Sequence, residues 1–178
     1  TGSKTVFKIE KSGQLYMWEP LAVRSLGDYK TTNNLYKSIY GDKIIFEEVN
    51  HDLELAFRYE WSSSDAFGFV KTSKLINNGG ESVRITFLDG LQNIMPASIG
   101  SDIQNQSSNL VDAYKRNELE DSTGLGIFAL SAILVDKAEA SEALKANVVW
   151  SLGLENPTYL LSSLQLDNFR SGNSVKQE

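Results

Sequence analysis

The clearest pattern in the chain is an alternation. Leu53, Leu55, Phe57, Tyr59 and Trp61 take every second position, with Glu54, Arg58 and Glu60 between them. A period of two over nine residues predicts a half-buried antiparallel strand, because successive side chains of a strand point to opposite faces. Val83, Ile85 and Phe87 repeat the alternation, with Arg84 and Thr86 outward. Thr5–Glu10 and Gln14–Trp18 flank Lys11-Ser12-Gly13 and predict a hairpin. Gly27–Asn34 is polar and turn-rich. Tyr36–Tyr40 and Lys43–Val49 around Gly41-Asp42 predict a second hairpin. Ser62–Asp65 turns the chain into a further strand, Ala66–Leu75, and Asn77-Asn78-Gly79-Gly80 predicts a turn built on positive φ.

Beyond Asp89-Gly90 the character changes. Asn105–Asp121 is polar and helix-competent, with Leu110, Ala113, Tyr114 and Asn117 on one face and Asn109 as its expected N-cap. Gly124–Val135 reads as a buried strand, and Val148–Leu152 and Thr158–Leu161 as strands. Ala138–Ala146 fits either a helix or an extended segment. The sum is a mainly β domain with one or two short helices in the second half. An antiparallel two-sheet β-sandwich is the expected architecture and a β-barrel the alternative. Residues 1–170 form the expected domain. Arg170–Glu178 is polar and aperiodic, so residues 171–178 are expected to be a linker or tail, and Thr1-Gly2-Ser3, with no initiator Met, reads as a scar.

Composition narrows the chemistry. Of 178 residues, 17 are Lys or Arg and 23 Asp or Glu, a net charge of −6. An acidic chain without a basic cluster does not suit nucleic acid, which demands several cations on one face. There is no cysteine and one histidine, His51. Thiolate sites, disulfides and multi-histidine zinc sites are therefore excluded, and neither a metal nor another cofactor is expected. The longest apolar run, Leu125–Val135, covers 11 residues. A membrane-spanning helix takes about 20.

Candidate chemistry is sparse. Asp89, Asp112, Glu118, Glu120 and Asp121 gather around the predicted helix. A pair of them can act on a glycosidic bond only at about 5–5.5 Å separation for retention or about 6.5–9.5 Å for inversion. Lys115 and Arg116 lie beside them, so solvated or locally paired carboxylates are the plainer reading. His51 reads as a turn or packing residue. No Gly-x-Ser-x-Gly elbow, phosphate loop or EF-hand spacing occurs, and the one Asn-x-Ser sequon begins at Asn105. Aromatic side chains can stack on sugars. Trp18, Tyr29, Tyr36 and Tyr40 fall near predicted turns, which makes them the candidates for exposed, carbohydrate-contacting rings.

Phe67-Gly68-Phe69-Val70, the run Leu88–Pro96 (LDGLQNIMP) and Ser108–Lys115 (SNLVDAYK) form a distinctive set. With Gly27–Thr32 (GDYKTT) and Gln165–Arg170 (QLDNFR), this set resembles the N-terminal β-sandwich, or supersandwich-like, region of large bacterial glycoside hydrolases and cellobiose-phosphorylase-like proteins. The resemblance runs from about Gly27 to Arg170. It implies a module of a multidomain carbohydrate-active protein, in which a C-terminal helical barrel carries the catalytic carboxylates. No residue of this chain maps onto those, so no catalytic residue is assigned. The implied partners are an oligo- or polysaccharide and the C-terminal catalytic domain. A stand-alone carbohydrate-binding or adhesion sandwich is the alternative, and a small autonomous glycosidase the third reading. A bacterial cytoplasm and a periplasmic or secreted location fit equally well.

Overall fold

The computed structural model of the chain describes residues 2–132 and 144–177. The chain gathers into two compact units. One is Thr5–Asp89; the other is Gly90–Glu178 together with Thr1–Lys4. The chain is mainly β, as the alternation predicts, with sandwich-like antiparallel sheets. Among the described residues no sheet closes on itself into a barrel.

β1 (Gly2–Lys11), in the first unit from Thr5 on, and β2 (Gln14–Trp18) form the predicted hairpin, with Lys11 opposite Gln14 and Phe7 opposite Trp18. Ser12 and Gly13 make its two-residue turn with φ of 51° and 77°. Both central positions are left-handed, as the right-handed twist of a hairpin favours. β7 (Arg84–Gln92) lies on the other side of β1, giving the order β2-β1-β7. The second sheet is a meander, β3 (Thr31–Lys37), β4 (Lys43–Asn50), β5 (Leu55–Ser64) and β6 (Gly68–Asn77), in that order. Phe7, Ile9 and Trp18 from the first sheet pack against Leu53, Leu55 and Phe57 of the β4–β5 turn and β5. Phe7 lies 5.3 Å from Phe57 edge-on and 5.5 Å from Trp18. Burying such rings stabilises by about 1.5–3 kcal/mol each, so this cluster holds the unit together.

Several boundaries differ from expectation. The turn-rich Gly27–Asn34 gives its last four residues to β3, because Thr31 to Lys37 find partners from Asn50 to Ile44. Tyr36–Tyr40 is correspondingly a strand end and a turn rather than a strand. The turn at Asn77–Gly80 uses no positive φ. Asn77 makes it instead: its Nδ2 donates to Glu81 O at 2.8 Å and its Oδ1 accepts from Gly79 N at 3.0 Å. A Cβ at Gly79 would sit 2.9 Å from Glu54 Oε2, so the Glu54 side chain would have to shift to admit one. β7 also runs on through Asp89-Gly90, beyond the alternation of Val83, Ile85 and Phe87.

In the second unit the single helix expected over Asn105–Asp121 is replaced by α1 (Ser101–Gln106), α2 (Ser108–Tyr114) and β8 (Lys115–Glu120). The N-cap of α2 is Ser107, not Asn109. Lys115 to Glu120 pair with Leu130 to Leu125 of β9 (Leu125–Leu130), and ladder hydrogen bonds override the weak helix preference of a polar run. β10 (Ala146–Val149) pairs with the other side of β9. Thr158–Leu161 forms no strand. α3 (Leu166–Arg170) is a third helix, buried through Leu166 and Phe169. Residues 133–143, which hold the end of the predicted 124–135 strand and most of the ambiguous 138–146 segment, lie outside the described residues.

Candidate functional site

The four candidate rings separate into two kinds. Trp18 is 1% exposed, a correction to the expectation of a surface ring. It sits at a strand end in sequence, but its register opposite Phe7 turns the indole into the core. Its Nε1 donates to Glu48 Oε1 at 2.7 Å. Tyr29 is half-buried against the same core, and its hydroxyl donates to Met17 O at 2.7 Å. Burial, helped by the nearby Asp28 carboxylate, pushes its hydroxyl pKa above the ordinary value. Tyr40 is open to solvent in the β3–β4 turn at 87% exposure, beside Ile39 at 91%. Ser38 Oγ, donating to Asp42 Oδ1 at 2.5 Å, ties that turn. Tyr36 lies on β3 at 46% exposure and belongs to a built cluster.

That cluster centres on Glu47. Asn34, Glu47, Arg58 and Lys74 are successive cross-strand partners on β3, β4, β5 and β6. In antiparallel sheets such partners share a face with Cβ atoms about 5 Å apart. The Glu47 carboxylate is almost wholly buried. Its Oε1 accepts from Asn34 Nδ2 at 2.9 Å and from the Tyr36 hydroxyl at 3.1 Å, while its Oε2 accepts from Arg58 Nε. Burial alone would raise the Glu47 pKa. The bonds from Asn34, Arg58 and Tyr36 outweigh it and hold the carboxylate below its usual range. The same bond raises the Tyr36 hydroxyl, because ionised oxygen would face ionised oxygen. Lys43 and Glu60 pair at 3.6 Å on the same sheet face. The result is a rigid polar platform with one ring on it.

Sequence reasoning set Arg58 between the apolar positions of its strand and nominated Tyr36, but it missed Glu47 and Asn34. The available signal was the doublet Glu47-Glu48 inside an apolar strand. Adjacent strand residues face opposite ways, so one of the two had to meet the core. Glu48 does so, bonded to Trp18 Nε1 and to Leu21 N at 2.7 Å.

The carboxylates singled out from the sequence serve local structure. Asp89 accepts from Thr5 Oγ1 at 2.6 Å and from Lys71 Nζ at 2.5 Å. Lys71 is itself largely buried, 5.5 Å from the Tyr59 ring centre. Asp112 pairs with Lys115 at 2.8 Å and Glu118 with Arg116 at 2.6 Å. Glu120 accepts from the hydroxyls of Thr123 and Ser122 and from their amides, closing the β8–β9 turn. These bonds take its pKa down to about 2. Asp121 Oδ1 accepts a long bond from Gln177 at 3.4 Å. His51 is exposed and shares a 2.8 Å bond with Thr32 Oγ1.

Among the described residues no group of three or more His, Asp or Glu is arranged to hold a metal ion, and no helix is long and apolar enough to cross a membrane. Neither models of known protein families nor curated proteins match the chain.

Proposed function

We propose that the chain is a non-catalytic β-sandwich domain of a multidomain carbohydrate-active enzyme, a glycoside hydrolase or phosphorylase-like protein. In that role it supports or covers an active site carried by a C-terminal domain. The carbohydrate element comes from the resemblance of Gly27–Arg170. The observation that supports a non-catalytic role is the state of the carboxylates: Asp89, Asp112, Glu118 and Glu120 are each held by a cation or hydroxyl, Asp89 and Glu118 within strands, Asp112 in α2 and Glu120 at the β8–β9 turn. A general acid instead needs a pKa raised towards neutrality, and Glu120 is moved the opposite way.

The test is turnover. The purified chain, incubated with β-glucosides and with cellobiose plus phosphate, is expected to release no sugar. Release that disappears on replacing one of these carboxylates by its amide overturns the reading in favour of an autonomous glycosidase.

The second reading, a stand-alone carbohydrate-binding module, is favoured by the exposure of Tyr36 and Tyr40. It predicts sugar affinity in the isolated chain that falls when these rings are replaced by alanine.

A further inference from the structure

The platform around Glu47 leaves donors unspent. Arg58 gives only Nε to Glu47, and no other hydrogen bond or ion pair engages its guanidinium among the described residues. A guanidinium has five N–H donors in a fixed plane, so the edge formed by Nη1 and Nη2 is open, on a side chain 45% exposed. The anchoring bond to buried Glu47 fixes the plane of that edge in advance. Lys74, directly across from Arg58 on β6, is exposed and holds no partner among the described residues. Tyr36 has its hydroxyl committed to Glu47, which fixes the ring while leaving much of it open. Asn34 spends its amide on Glu47 and keeps its carbonyl oxygen.

We propose that this face of the β3-β4-β5-β6 sheet binds a carboxylated saccharide, a uronate-containing glycan. The sugar carboxylate sits on the Nη edge of Arg58 with Lys74 beside it, and a sugar ring stacks on Tyr36. Naming a sugar rests on the carbohydrate reading above; the acidic group rests on the platform itself. Planar bidentate geometry suits the guanidinium edge to a carboxylate. The charge count agrees. Glu47, Arg58 and Lys74 sum to +1 and the Lys43–Glu60 pair adds nothing, so one uronate carboxylate seated there neutralises the platform, whereas a phosphate dianion puts a second negative charge on it. This positive spot lies on a chain of net charge −6, which repels anions everywhere that cations are not placed for them.

The experiment titrates the full chain with tetragalacturonate, cellotetraose and glucose 1-phosphate. It is read by calorimetry and by amide and side-chain NMR shifts on β3 to β6. Tetragalacturonate is expected to bind tightest, to shift Tyr36, Arg58 and Lys74, and to weaken as salt is raised. Arg58→Lys keeps the charge but loses the fork, and is expected to weaken binding about tenfold. Lys74→Ala, which removes an exposed side chain with no partner among the described residues, is expected to weaken it severalfold without unfolding the chain. Tetragalacturonate that shifts nothing on this face, or binds both variants as it binds the parent, overturns the proposal. Preference for cellotetraose or for glucose 1-phosphate overturns it too. Turnover of glycosides by the chain sinks the non-catalytic reading and leaves this one standing.

Discussion

The two faces of the four-stranded sheet solve one problem in opposite ways. Glu47 and Glu48 are neighbours in sequence and both are buried, at 3% and 7% exposure. Glu48 faces the hydrophobic cluster and is satisfied by an indole N–H and a backbone N–H. Glu47 faces away from it and is satisfied by an amide, a phenol and a guanidinium. On the first face every donor that meets the carboxylate is used up and enclosed, so its energy goes into the fold. On the second, the groups that hold the carboxylate keep part of themselves in solvent: the Tyr36 ring, the far edge of Arg58. A buried carboxylate is expensive unless it is hydrogen-bonded. What its partners do with their remaining surface separates an architectural site from one that can meet a ligand.

Substitutions can break this contrast. Trp18→Ala has the largest expected effect, a loss of about 3–5 kcal/mol, because it empties the core and strips Glu48 of its indole donor; urea unfolding of the chain measures it. Trp18→Phe keeps a ring and removes only the N–H, and is expected to cost about 1–3 kcal/mol by the same measurement. A cost near zero would place water or another donor at Glu48 and blur the contrast. Lys74→Ala, on the opposite face, is expected to stay within about 0.5 kcal/mol of the parent. A much larger loss would make that face structural as well.

Acid sharpens the comparison further. Glu47 has a folded pKa below its unfolded value of about 4.3. The stability it contributes is therefore present above about pH 4.3 and is lost as the pH falls through the folded value. Glu120, held at about 2, acts in the same sense in the β8–β9 turn. Unfolding free energy measured against pH is expected to fall below about pH 4.3, and Glu47→Gln to flatten that fall in part. An unchanged slope in Glu47→Gln would mean that its three bonds do not favour the ionised form.

How much of this the sequence disclosed depends on how local the cause was. The strand carrying Leu55, Phe57 and Tyr59 was legible because alternation is a local consequence of the pleat, and the Ser12-Gly13 hairpin because its turn chemistry is local. β8 was not, because Lys115–Glu120 is extended only through its pairing with Leu125–Leu130. Trp18 misled for a related reason: proximity to a turn says nothing about which face a strand-end ring takes, and its register with Phe7 decides that. At the platform, Tyr36 and Arg58 could be nominated one at a time. Their convergence on Glu47 depends on the registers of β3, β4 and β5 together, which no single segment encodes.

The most direct test of the supporting-module reading is the mass of the native gene product, measured by immunoblot of source cells with antibody raised against this chain. A band several-fold above 19.8 kDa is the predicted result, and it sends the search for catalysis to the additional domain. A band near 20 kDa contradicts it and makes the chain a binder in its own right.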